Sequence, residues 1–198
     1  MRPIDIALER IREKIKEMTN TTESILNEMS KGLNYKIEDI SRYIDKIRLL
    51  RAELHSLATE TLARYQPVAS DLRFIIASLE ISYGLFRFSR YALDIAYIIK
   101  NFSKEKNLEC GFENTRKMLP HVVEMIRESI ESFMNRDVDK ANKVIKLDSL
   151  VDQYLSDALK KASEKKDSCT YLDFIVAIYL ERIADHSVYI ASDTIFMI

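Results

Sequence analysis

The chain has 198 residues, enough for one or two small domains, and 47% of them are apolar, enough to build a real core. Its 30 basic and 31 acidic side chains nearly cancel to a formal charge of −1, which excludes the basic stripe of a nucleic-acid binder. With only 3 glycines and 3 prolines, most of the chain must lie in long regular elements, and a glycine-rich phosphate loop is excluded.

The first segment carries Ile4, Leu8, Ile11, Ile15, Met18, Thr22, Ile25 and Met29, spaced alternately by four and three, the seam of a packed helix. Gly32 and Asn34 punctuate the chain. A second helix follows with Ile37, Ile40, Ile44, Ile47, Leu50, Leu54, Leu57 and Leu62, and ends near Gln66-Pro67. A third, about 67 to 101, carries Leu72, Ile75, Leu79, Tyr83, Phe86 and Leu93. Residues 102 to 113, with Asn107, Cys110 and Gly111, read as a linker. A fourth helix covers about 113 to 135, with Pro120 expected to kink it or mark its true start. A fifth covers about 137 to 163, and a sixth runs from about 171 to near the C-terminus, opened by Thr170 and Asp173 at the spacing of a capping box. No apolar/polar alternation or hairpin turn competes, so the expected fold is all-α. Short connections imply antiparallel neighbours, and three helices, a linker and three more suggest an internal repeat, 1–103 and 112–198.

The N-terminus lacks the apolar segment of a secretory signal. The longest apolar run, Phe174 to Leu180, is far short of the roughly 20 residues of a membrane span, so a soluble protein is expected. Cys110 and Cys169 have no CxxC partner and read as two free thiols rather than a zinc site or a disulfide.

Two acidic pairs stand out. Asp148 and Asp152 on the fifth helix, and Glu181 and Asp185 on the sixth, are each four apart and share a helix face. Steps of four and three place them in otherwise apolar stripes: Ala141, Ile145, Leu155 and Leu159 on one helix, Phe174, Ile178, Val188 and Ile195 on the other. Facing pairs would gather four charges, which a cation would relieve, as in helical di-metal carboxylate sites. Two observations oppose this. Acids at i, i+4 are common on solvated faces, and Val144, Leu147, Val151 and Tyr154 form a rival core stripe. His55, His121 and His186 lack the Glu-x-x-His spacing of such sites and read as surface or interface residues.

The stretch Tyr65-Gln-Pro-Val-Ala-Ser-Asp-Leu-Arg73 and the stretch Leu180-Glu-Arg-Ile-Ala-Asp-His-Ser187 resemble the two signatures of the PhoU family, and the resemblance spans essentially the whole chain. It implies two three-helix bundles side by side and a cytoplasmic negative regulator of phosphate uptake and phosphate-starvation signalling. It also implies partners, a phosphate ABC transporter or its sensor protein, with membrane association only through them. Family proteins bind metal clusters through Glu/Asp-x-x-x-Asp pairs. Carried over, Asp148, Asp152, Glu181 and Asp185 form a full set for iron or zinc in the second repeat. The first repeat departs from the pattern. It has Phe86 and Arg90 on its third helix and Ser41 and Asp45 on its second, so no cluster is expected there and Arg90 is expected to pair with Asp45. Asp71 reads as a helix N-terminal acid, and Arg73 as a tie to a neighbouring helix.

The leading expectation is thus a regulatory adaptor, not an enzyme. A di-metal carboxylate enzyme or metal store is the first alternative, and a metal-free helical interaction module the second. The ten tyrosines suit an interaction surface without saying which of them form it, and a homodimer stays open.

Overall fold

A computed structural model describes residues 2–33, 35–106 and 110–198, and the side chains of these except 103–106. Asn34 and Asn107, two of the expected breaks, lie outside the described residues. Six helices follow in order: α1 (Pro3–Ser30), α2 (Ile37–Tyr65), α3 (Ala69–Lys106), α4 (Glu113–Asn135), α5 (Val138–Lys165) and α6 (Ser168–Met197). No strand occurs among the described residues.

Local chemistry sets the helix ends. Pro3 opens α1, where its missing N–H costs nothing, and Asp5 folds back to accept from the Arg2 backbone at 2.7 Å. Gln66 stops α2 in the left-handed region, φ 44°, directly before Pro67. Asp137 caps α5 by accepting from the Lys140 N–H, and Asp167 caps α6 by accepting from Cys169 and Thr170. The cap of the sixth helix therefore lies three residues before the expected Thr170, because Asp167 supplies the acceptor and Asp173 is engaged elsewhere. Pro120 lies inside α4 and does not mark its start.

Helices α1, α2 and α3 pack as one bundle, and α4, α5 and α6 as a second. The bundles join where α3 packs on α6 and α1 on α4, so α2 and α5 lie on the flanks. The predicted seam of α1 is the buried one: Ile11, Ile15, Met18, Ile25 and Met29 are fully covered. Together with Ile40, Ile44, Ile47 and Leu54 of α2 they meet α3 in an apolar core that continues into the second bundle. Each such aliphatic side chain contributes about 1.5–3 kcal/mol of burial.

The α3–α6 seam runs antiparallel. Arg73 at the start of α3 donates to the Ile198 carbonyl at 3.2 Å, and Tyr91 meets Tyr179 edge-on farther along. Between them the helices close in at Gly84, where a β-carbon would lie 3.1 Å from Ile190. At the α1–α4 contact Arg127 reaches Glu23 at 2.7 Å, and Phe74 of α3 stacks on Phe133 of α4 with ring centroids 6.3 Å apart. Arg73 thus makes the inter-helix tie read from the sequence, while Asp71 pairs with Arg2 at 3.1 Å. No described helix is long and apolar enough to cross a membrane.

Candidate metal centre

The fully buried stripe of α5 is Ala141, Val144, Val151, Ala158 and Ala162, with Leu147 and Tyr154 half-buried beside it. This is the rival stripe, not the one running through the acids. Ile145 and Leu159 are exposed, so Asp148 and Asp152 stand on a flank of the helix rather than in its centre. On α6 the covered face is Val176, Leu180, Ile183, Ala184, Ser187 and Ile190, and Glu181 and Asp185 also sit at its margin. The flanks adjoin because α5 packs along α6. Asp148, Glu181 and Asp185 are half-buried and Asp152 is exposed.

The four carboxylates sense one another. Burial raises the Asp148 pKa above the ordinary carboxylate value, and the charges of Asp152 and Asp185 raise it further. Burial raises Glu181, with Asp185 adding to it and Arg182 opposing. Asp185 is raised by burial and by Asp152, again against Arg182. Arg182 lies 3.5 Å from Glu181 and 3.3 Å from Asp185. One Asp148 oxygen, Oδ1, is buried with no hydrogen-bond partner. Each of these is a symptom of unneutralised charge at a partly dry surface. Among the described residues no three carboxylates, imidazoles or thiols converge tightly enough to hold an ion as the side chains stand. The donor set, four carboxylates and no thiolate or imidazole, fits a hard oxygen-seeking cation in kind. Seating one requires Arg182 to leave Glu181 and Asp185.

The corresponding face of the first bundle is self-neutralised. Asp45 pairs with Arg48 at 3.1 Å and Arg90 with Asp94 at 3.5 Å, each within its own helix. The expected Arg90–Asp45 pair is not formed, because a partner one turn away on the same helix needs no reach across a helix pair. Between α2 and α3, Arg51 lies over the rings of Tyr83 and Phe86 at 5.3 and 5.7 Å, and Lys100 reaches Glu38 at 3.9 Å.

His186 is half-buried among Tyr83, Tyr91 and Tyr189, with ring centroids 5.6 to 5.9 Å away. Burial, helped by Arg87 and Arg182, lowers its pKa to about 4, so it is neutral at pH 7. His121 stacks on Tyr154, and His55 is exposed. A cleft of about 550 Å³ lined by Arg10, Arg12, Asp71, Phe74 and Arg136 among others touches none of the four carboxylates.

The two cysteines are not free. Cys110 and Cys169 form a disulfide with Cα atoms 5.2 Å apart. The cause is Asp173, whose carboxylate is buried and accepts from the backbone N–H groups of Asn114 and Thr115 and from both their side chains, at 2.7 to 3.1 Å. An α6 acid thus caps the N-terminus of α4, where the helix dipole favours negative charge. Cys110 stands four residues before Asn114, and Cys169 four before Asp173, so that cap brings the sulfurs together. Sequence reading placed Asp173 in its own helix's cap. The only signal against that was an acid next to Leu172 on a face that is otherwise apolar.

Six helices in two joined bundles, with an acidic helix pair on one flank, define a helical scaffold that carries a surface of oxygen donors. The chain belongs to the PhoU domain family, whose model matches residues 8–99 and 115–194. It is 30% identical over 197 residues to the phosphate-specific transport system accessory protein PhoU homolog 1 of Methanothermobacter thermautotrophicus, covering 96% of this chain and 89% of that one. It is also 30% identical to the PhoU homolog of Clostridium acetobutylicum, over 96% and 92% of the two chains. The crystal structure of PhoU from Pseudomonas aeruginosa superposes with a TM-score of 0.87 at 26% identity, over 98% of this chain and 97% of that one.

Proposed function

We propose that this chain is a regulatory accessory protein of a phosphate transport system, that it restrains uptake from the cytoplasmic side by binding the transporter or its sensor, and that its second bundle binds a cation. Relatives matched over nearly their whole length carry the name of transport-system accessory protein, which supports the first part. The observation that supports the cation is the α5–α6 flank, where Asp148, Glu181 and Asp185 are all held above their ordinary pKa and Asp148 Oδ1 has no partner. Asp148 and Asp152 would hold the ion from α5, and Glu181 and Asp185 from α6. A bound ion supplies positive charge that neutralises the four and ties the two helices. The all-oxygen donor set favours iron over zinc, which prefers nitrogen and sulfur.

Two readouts test this. Elemental analysis of protein incubated with iron should find stoichiometric metal, and Asp152→Asn/Asp185→Asn should lose it. Metal absent from the unaltered protein overturns the cation site and leaves a metal-free interaction module, with Arg182 as the permanent counter-ion of Glu181 and Asp185. Independently, the chain should lower phosphate uptake in cells lacking their own accessory protein. Unchanged uptake on expression of folded protein overturns the regulatory reading.

A further inference from the structure

Two ties at the start of the second bundle duplicate each other. The Asp173 carboxylate accepts from the backbone N–H groups of Asn114 and Thr115 and from both their side chains, and so fixes the first turn of α4 on α6 without help from sulfur. The disulfide joins the same two segments four residues earlier in each, Cys110 ahead of α4 and Cys169 in the first turn of α6. Opening the sulfur–sulfur bond therefore leaves both segments in place. The cap also keeps the two thiols within reach of each other, so the bond can form again.

The sulfurs stand where a small thiol can come to them. Neither Cys110 nor Cys169 is fully covered. A β-carbon added at Gly111, next to Cys110, would meet no atom of the described residues within 4 Å. The surroundings are cationic. Lys161 reaches Glu113 at 2.8 Å and Lys117 reaches it at 3.7 Å, and the charge of Lys165 acts on both Glu113 and Asp167. Such a surround draws in an anionic attacking thiolate. In a reducing cytoplasm disulfides are rare, and those of ordinary cells are mostly transient or redox-sensing.

We propose that Cys110 and Cys169 form a reversible thiol–disulfide exchange site for low-molecular-weight thiols and their disulfides, which adds or removes a covalent strap across the start of the second bundle while the Asp173 cap holds the fold. In reduction, an incoming thiolate attacks the Cys110 sulfur from the open side. The sulfur–sulfur bond breaks, and its electron pair leaves on Cys169, which takes up a proton. A second small thiolate then attacks the first one's sulfur and displaces Cys110, which takes up a proton in turn, and the two small thiols depart as one disulfide. Oxidation is the reverse, with two electrons and two protons passing from the protein to a small disulfide. The exchange has a use only in the cytoplasmic placement proposed above, and it needs neither the transporter nor the cation.

The test is to equilibrate the full chain, without denaturant, in mixtures of reduced and oxidised glutathione, to block free thiols by rapid alkylation and to weigh the product. The unaltered chain should pass between dithiol and disulfide in one two-electron step, with the same midpoint from either direction and unchanged helical circular dichroism. Cap and cross-link stabilise each other, so Asp173→Asn should move the equilibrium toward the dithiol by about tenfold. If that variant does not fold, Thr115→Val removes one of the four hydrogen bonds and should move it the same way by about threefold. A disulfide that persists in the most reducing mixture, helices that melt on reduction, or an equilibrium unmoved in the folded variant overturns the proposal. In intact cells making the chain, alkylation should find thiols during growth and the disulfide after brief exposure to diamide. A permanent disulfide in chain that fractionates with the cytoplasm overturns the exchange site, whereas chain found outside the cytoplasm overturns the placement and the use of the exchange with it.

Discussion

The α2–α3 flank and the α5–α6 flank share one scaffold and handle charge in opposite ways. On the α2–α3 flank Asp45 is answered by Arg48 and Arg90 by Asp94, each within a turn, and Arg51 lies over the rings of Tyr83 and Phe86. In the second, Arg182 reaches only Glu181 and Asp185, and Asp148 and Asp152 pair with no base among the described residues. The ends differ as well. The start of the first bundle is held by the Arg2–Asp71 ion pair, with Arg2 largely exposed. The start of the second is held by a disulfide and a buried carboxylate. A bundle that carries unneutralised charge on its flank is thus the one more firmly tied at its end.

The largest effect should come from cutting that tie. A cross-link between residues 59 apart restricts the unfolded chain, and its loss is expected to cost about 2–4 kcal/mol. Cys110→Ser/Cys169→Ser should lower the melting midpoint by roughly 10 °C. A midpoint unchanged by the double variant, or by reductant, would mean that the second bundle is no better anchored than the first.

Next in size is Asp173→Ala, which strips four hydrogen bonds from a buried helix start and should cost about 2–3 kcal/mol in chemical denaturation. The matching position, eight residues before the motif in the first bundle, is Ser78, whose hydroxyl donates only to the Phe74 carbonyl of its own helix. Ser78→Ala should cost well under half as much. Equal losses would erase the difference between the two ends.

How much of this was legible in the sequence divides by range. The helices and the α1 and α2 seams were readable because helical periodicity is local and Ile11, Ile15, Ile40 and Ile44 repeat it without interruption. The α5 seam was ambiguous because two stripes were apolar, and only contact with α4 and α6 chooses Val144 and Val151. The four carboxylates were found by spacing, but their partial exposure was not. Asp173, the disulfide and Arg51 were missed for a single reason: each depends on a partner brought close by tertiary packing, 58 or 59 residues away for Asp173 and Cys169. The Arg90–Asp45 pairing failed in the reverse direction, since a nearer carboxylate, Asp94, was on the same helix.

Arg51→Ala probes the first flank. Its guanidinium is stacked over two rings, and removing it should cost about 1 kcal/mol and leave the metal content of the protein unchanged. A change in bound metal would show that the flanks are coupled rather than independent.

The smallest effect has an informative sign. Asp148→Asn removes one charge from an i, i+4 like-charged pair and should stabilise the metal-free protein by about 0.5 kcal/mol at neutral pH. The Asp148 carboxyl is held above its ordinary pKa by burial and by Asp152 and Asp185, so the folded state binds its proton more tightly than the unfolded one. Its contribution is therefore most favourable below the ordinary carboxylate pKa. It declines as the pH rises from there through the raised value, then stays level. Asparagine does not titrate, so the difference between variant and parent should open over that window and persist above it. Asp45→Asn, at the already neutralised flank, should give no measurable difference. Saturating iron should invert the result for Asp148 alone, because the lost charge is then a lost ligand. A destabilising Asp148→Asn in metal-free protein would mean that the second flank is already neutralised, and the contrast between the two bundles would fall.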